Sequence, residues 1–175
     1  MWIFGYGSLI WDGWQNKNGR RCLRTVPAEL RGYRRVFNKK SVRNWGTRAL
    51  PCPTLNLEEA STATCRGMAF EFHHDDWFMG QMLLWLRQRE GCEPRELQIR
   101  IDDTSEVNAL VYIYAGASLI KDRLTPEQLA VMSVKASGTD GLCVNYIKGI
   151  AEKLAALGVD DPAVADLWRA VTAAA

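Results

Sequence analysis

Up to about residue 114 the apolar positions of this chain fall mainly in short runs or alternate one in two, whereas beyond residue 125 they recur every third or fourth place. The first pattern is that of strands and the second that of amphipathic helices. Trp2, Ile3 and Phe4 form a short apolar strand that runs into a turn with glycine at Gly5 and Gly7. Residues 26–30 and 33–37 carry strand-like spacing, and residues 38–53 read as a long loop. Over residues 66–72 alternation puts Met68, Phe70 and Phe72 on one strand face. Residues 97–101 alternate likewise, Asp102 and Asp103 make a turn, and residues 107–114 continue as a strand buried on both faces.

Helices interrupt and then replace this pattern. Residues 77–90 are apolar nearly all round, with Trp77, Phe78, Met82, Leu83, Trp85 and Leu86 available for packing, so this helix is expected deep against a sheet, capped by Asp75 or Asp76. Thr125, Pro126 and Gln128 spell an N-cap, a first-turn proline and a capping box. A glycine-marked loop at 137–142 precedes a helix ending near Leu157, with Gly158 as its terminator, and Asp161-Pro162 opens a last helix. Strands first and helices later, without βαβ alternation or internal repeat, imply an α+β fold.

Composition narrows the class. A chain of 175 residues that is 47% hydrophobic can bury one sizeable core, and a single domain over 1–175 is expected. No apolar run approaches the roughly 18 residues of a membrane span, and the N-terminus lacks the pattern of a signal peptide, so a soluble cytoplasmic protein without membrane contact is expected. The cysteines, Cys22, Cys52, Cys65, Cys92 and Cys143, are odd in number and scattered, and are expected as free thiols. His73 and His74 are strand neighbours that point to opposite faces, and no metal is expected. Residues 1–50 hold 11 Lys or Arg against only Asp12 and Glu29. That asymmetry fits a nucleic-acid surface, a positively biased mouth for a small peptide with two carboxylates, or a solvated basic face. No nucleic-acid motif accompanies it, and no nucleic-acid partner is expected.

Candidate chemistry sits at the first turn. Glycine at Gly5 and Gly7 permits positive φ and close ligand approach, while Tyr6, Ser8 and nearby N–H groups can donate to an anion. A small acidic ligand is expected there.

The run Phe4-Gly5-Tyr6-Gly7-Ser8-Leu9-Ile10-Trp11 resembles the YGSL loop of the γ-glutamylcyclotransferases, in particular their ChaC-like, glutathione-specific branch. Three further segments continue the resemblance in chain order. Gly32-Tyr33-Arg34-Arg35-Val36-Phe37 is similar to the family's second strand, followed by Ser41 and by Gly46-Thr47. There Trp45 and Arg48 replace the arginine and proline of the common Arg-Gly-Thr-Pro form. Arg89-Glu90-Gly91 after Leu86 is similar to the catalytic segment, and Ser137-Gly138 with Asn145-Tyr146 to the stretch opening a C-terminal helix.

The resemblance implies a small mixed β-barrel flanked by helices and a cofactor-independent enzyme. Its γ-glutamyl substrate would cyclise to 5-oxoproline and release the attached amine, Cys-Gly when the substrate is glutathione. It implies Glu90 as the catalytic acid–base, and a second register of the same segment puts Gln88 at that place. It further implies Tyr6, Gly7, Ser8 and Leu9 as the cradle for the substrate's α-carboxylate, Tyr146 near the γ-carbonyl or leaving group, and Ser41 and Arg48 at the distal part. Substrates other than glutathione, namely γ-glutamyl amino acids or amines, and a non-catalytic γ-glutamyl-binding module remain alternatives. From the residues alone, Glu90 is also a helix-end glutamate paired with Arg87 or Arg89 on the surface.

Overall fold

The computed structural model describes residues 1–17, 21–74 and 76–174, with Asp76 and Trp77 described by their backbone only. Asp75, one of the two expected caps, lies outside the described residues, and so does the side chain of Asp76. The chain divides into two compact units, Met1–Arg34 with Glu59–Gly116 and Arg35–Glu58 with Ala117–Ala175.

The strands form a closed five-stranded barrel of order β1-β3-β2-β4-β5, the mixed barrel that the sequence resemblance implies. Its strands are β1 (Trp2–Gly5), β2 (Cys22–Ser41), β3 (Cys52–Phe72), β4 (Pro94–Arg100) and β5 (Glu106–Tyr112). β1 runs antiparallel to β3, with Trp2 opposite Glu71, and parallel to β5, with Trp2 opposite Ala109. Because β1 is flanked on both sides, Ile3 and Phe4 have no exposed face, and both are fully buried. β3 approaches β1 closely at Gly67, where a Cβ would stand 2.3 Å from the Gly5 carbonyl oxygen, so only glycine fits.

Strand lengths differ from the sequence expectation. Residues 26–30 and 33–37 belong to one strand, β2, and β3 begins at Cys52, leaving only residues 42–51 as the loop. The polar stretch 58–64 is largely exposed strand, which hydrophobic alternation does not reveal. The expectation of one apolar face at Met68, Phe70 and Phe72 holds, but Ala69 on the other face is buried as well, since barrel and helix cover both sides.

Helix α1 (Asp76–Glu90) is not the deeply buried element its composition suggests. Met79, Met82 and Leu86 form a narrow buried stripe, while Leu84 is 50% exposed. A helix against a barrel wall buries one stripe only, however apolar its other positions. It stops where Gly91 takes φ +71°, and the Gly91 N–H returns to the Arg87 carbonyl at 2.8 Å. This left-handed glycine cap leaves Glu90 as the last helical residue.

The second unit packs α4 (Pro162–Ala174) against α2 (Pro126–Lys135) and α3 (Cys143–Ala156). The capping box at Thr125 and Gln128 forms as expected, Gly158 takes φ +64°, and Asp161 accepts the Val164 N–H at the start of α4. Ile147, Ile150 and Leu154 form the buried stripe of α3, each contributing about 1.5–3 kcal/mol by leaving water. A buried ion pair joins Arg35 to Asp161 at 2.9 Å. The expectation of five free thiols fails here. Cys52 and Cys143 form a disulfide between residues 91 apart in sequence, leaving Cys22, Cys65 and Cys92 free. Nothing in spacing marks the pair, because the strand that starts at Cys52 and the helix that starts at Cys143 meet only in three dimensions.

Candidate active site

The first turn is a short 3-10 helix, Ser8–Ile10, preceded by Gly7 at φ −114°. Neither Gly5 nor Gly7 is left-handed, so the expected positive φ is not what these glycines supply. At Gly5 the requirement is space, since a Cβ would lie 3.0 Å from Leu9 Cβ and 3.1 Å from the Phe70 ring. The turn's carbonyls at Gly7 and Ser8 accept from Ile10, Trp11 and Asp12. A 3-10 turn leaves its first N–H groups, here those of Ser8 and Leu9, without an internal partner, the arrangement that receives an anion.

The loop is held from below and from the side. Leu9 and Ile10 are each 5% exposed, and the Trp14 indole N–H donates to the Leu9 carbonyl at 3.0 Å. Trp14 in turn packs its ring against Phe70, Phe72 and Trp85. The Tyr6 hydroxyl donates to the Tyr112 carbonyl at 2.6 Å, which corrects the expectation that this hydroxyl faces a ligand as donor. Its proton is spent on fastening the loop to the end of β5.

Arg89 connects this loop to the end of α1. Its guanidinium donates to Ser8 Oγ at 2.8 Å, pairs with Asp12, lies 3.3 Å from Glu90 Oε1 and covers the Trp85 ring at 5.2 Å. One planar fork spreads five donors over acceptors on different sides, whereas a lysine's three donors all radiate from a single nitrogen. Glu90 does pair with Arg89, as one reading of the sequence had it, but not on the surface: the side chains are 18% and 14% exposed. Gln88 is exposed, and Arg87 pairs with Glu93 instead, at 2.7 Å. Sequence reasoning singled out Tyr6, Gly7, Ser8, Leu9 and Glu90, and the fold brings them together. It missed Asp12, Trp14 and Tyr112, and it treated Arg89 only as a surface partner of Glu90.

Arg89→Ala is expected to destabilise the protein by about 1–3 kcal/mol, because it leaves the part-buried Asp12 carboxylate without its cation. Urea unfolding of Arg89→Ala, Asp12→Ala and the double variant measures this. A coupling between the two positions near zero refutes the clamp.

The remaining expected residues belong to the second unit. Ser41 ends β2 and its Oγ accepts the Trp45 N–H at 3.1 Å. Trp45 packs its ring on that of Tyr146 at 5.5 Å, and the buried Tyr146 hydroxyl accepts the Leu55 N–H at 2.9 Å. Arg48 is exposed. Among the described residues no His, Cys, Asp and Glu group is arranged to hold a metal ion. No helix among them is long and apolar enough to cross a membrane.

The barrel with this loop and helix end has the fold of the γ-glutamylcyclotransferases. A yeast γ-glutamyl cyclotransferase specific to glutathione superposes with a TM-score of 0.82 at 17% identity, covering 99% of this chain and 96% of that one. A second γ-glutamyl cyclotransferase structure gives 0.61 at 12% identity over 95% of this chain and 85% of that one. The sequence profile of the ChaC-like proteins matches residues 1–174, and the chain belongs to that family. It is 33% identical to gamma-glutamylcyclotransferase 2-3 of Arabidopsis thaliana over 98% of its length and 88% of the relative's. It is 30% identical to the glutathione-specific gamma-glutamylcyclotransferase of Escherichia coli, over 98% of its length and 72% of the relative's.

Proposed function

We propose that this protein is a γ-glutamylcyclotransferase whose substrate is glutathione and whose products are 5-oxoproline and Cys-Gly. One observation carries the reading: a single guanidinium, that of Arg89, holds both the Ser8 side chain of the anion-binding turn and the carboxylate of Glu90. Family membership, with relatives named for this activity at 30% and 33% identity, supports it.

In this reading the backbone of Tyr6, Gly7, Ser8 and Leu9 receives the substrate's α-carboxylate and thereby aims the adjacent α-amino group. At neutral pH that amine is an ammonium and cannot attack. Glu90 takes its proton, the amine nitrogen bonds to the γ-carbonyl carbon, and the carbon–nitrogen bond to the cysteinyl residue breaks. The proton held by Glu90 goes to the departing nitrogen, and the second proton that the ring nitrogen sheds on becoming an amide N–H follows through the same carboxylate, so Cys-Gly leaves as an ammonium, the carboxylate is regenerated and no oxidant, reductant or cofactor enters the balance. Fixing the carboxylate turns a floppy ring closure into a near-attack geometry. For Ser41, Arg48 and Tyr146 the resemblance alone speaks for substrate contact. Glutathione as the pool thiol of the cytosol makes the cytoplasm the location that goes with this reading.

Incubation of the purified protein with glutathione and a panel of γ-glutamyl amino acids and amines, following 5-oxoproline, tests it. Glutathione is expected to give the highest kcat/KM. Silence on glutathione with turnover of another γ-glutamyl compound transfers the proposal to that substrate, and silence on all of them removes it.

A further inference from the structure

Tyr112 closes β5, opposite Pro94 at the start of β4, so its ring lies beside the short link that leaves the end of α1. Its side chain is buried, and among the described residues its hydroxyl has no hydrogen-bond partner. A buried hydroxyl left so costs about 1–3 kcal/mol, a cost that an apolar phenylalanine of the same shape would avoid. Its main-chain carbonyl meanwhile anchors the first turn through the Tyr6 hydroxyl. Tyr112 is therefore attached by its backbone to the first turn, while its phenol is near enough to the end of the helix to feel the Glu90 charge. Burial first, and the Glu90 charge second, hold the phenol well above the ordinary tyrosine range, so it stays protonated and remains a donor at any physiological pH.

We propose that the Tyr112 hydroxyl donates to the γ-carbonyl oxygen of the substrate and holds the oxyanion that forms there. The inference rests on the cyclotransferase reading above. As the amine nitrogen bonds to the γ-carbon, the carbonyl π pair moves onto oxygen, and the phenolic O–H meets that negative charge. When the pair returns, the bond to the departing nitrogen breaks and that nitrogen takes the proton from Glu90. Tyr112 neither gains nor loses a proton in the cycle. Its hydroxyl is buried, and a donor held away from water acts most strongly.

Removal of one oxyanion donor lowers kcat by about 100–1000-fold, and this is the loss expected of Tyr112→Phe with glutathione, with KM changed less than about threefold. The melting temperature is expected to stay or rise, since the variant removes an unsatisfied polar atom and no packing. A fall in kcat of less than tenfold overturns the assignment. So does a larger fall accompanied by a lowered melting temperature or by lost glutathione binding in calorimetry, which makes the residue structural. A wild-type protein inactive on every γ-glutamyl compound removes the parent reading and this one with it. An active wild type with an unimpaired Tyr112→Phe removes only the role of Tyr112.

Discussion

Glu90→Gln lowers kcat on glutathione by about a thousandfold or more and leaves glutathione binding and the melting temperature nearly unchanged. The kinetic expectation follows from one carboxylate acting twice: it accepts the ammonium proton before ring closure and returns it to the departing nitrogen. Each such transfer is commonly worth about 100–10,000-fold, and an amide can do neither. A thousandfold loss corresponds to about 4 kcal/mol of transition-state stabilisation. The stability expectation follows from Arg89. When Glu90 loses its charge, that guanidinium still has Asp12 and Ser8 as acceptors, so no buried cation is left alone. Steady-state kinetics, calorimetric titration of glutathione and thermal melts measure the parts separately. A variant that retains turnover within tenfold of the wild type ends the assignment of Glu90. A collapse of both binding and stability makes Glu90 a structural residue instead.

Opening the Cys52–Cys143 disulfide lowers stability by about 3–5 kcal/mol, because the bridge closes a loop of 91 residues and restricts the unfolded chain more than the folded one. For a chain of this size that is roughly 8–15 °C in melting temperature. Thiol titration of the denatured, unreduced protein is expected to find three reactive cysteines, Cys22, Cys65 and Cys92. Melting with and without dithiothreitol, beside a Cys52→Ala and Cys143→Ala double variant, measures the stability part. Five titratable thiols in the unreduced protein, or identical melting curves under both conditions, refute the bridge. Because Cys143 opens α3 and the Leu55 N–H, close after Cys52, meets the Tyr146 hydroxyl, the reduced protein is also expected to lose protection at Leu55 in hydrogen exchange.

Local signals in this chain were legible where a few neighbouring residues decide the outcome. Thr125, Pro126 and Gln128 specify a helix start through contacts within one turn. Gly91 and Gly158 mark helix ends because the left-handed region is cheap only for glycine. The β1 strand and the turn after it could be read for the same reason, and the apolar run 77–90 ending before Gly91 placed Glu90 at the end of its helix. Other features escaped because their partners lie far along the chain. The length of β3 was hidden by the polar stretch 58–64, whose residues pair as a strand without a buried face of their own. The exposure of α1 was misjudged because composition counts apolar residues and cannot say how wide a wall they meet.

By itself the amino-acid sequence determined most element types, the caps and the family, all of them legible in short segments whose energetics are local. Only the tertiary structure decided that Arg89 reaches Ser8 and Asp12 as well as its neighbour Glu90, that Cys52 finds Cys143, and that the buried Tyr112 hydroxyl has no hydrogen-bond partner among the described residues. Those outcomes depend on barrel closure and helix packing, which bring together groups tens of residues apart, and no pattern along a single segment encodes such distances.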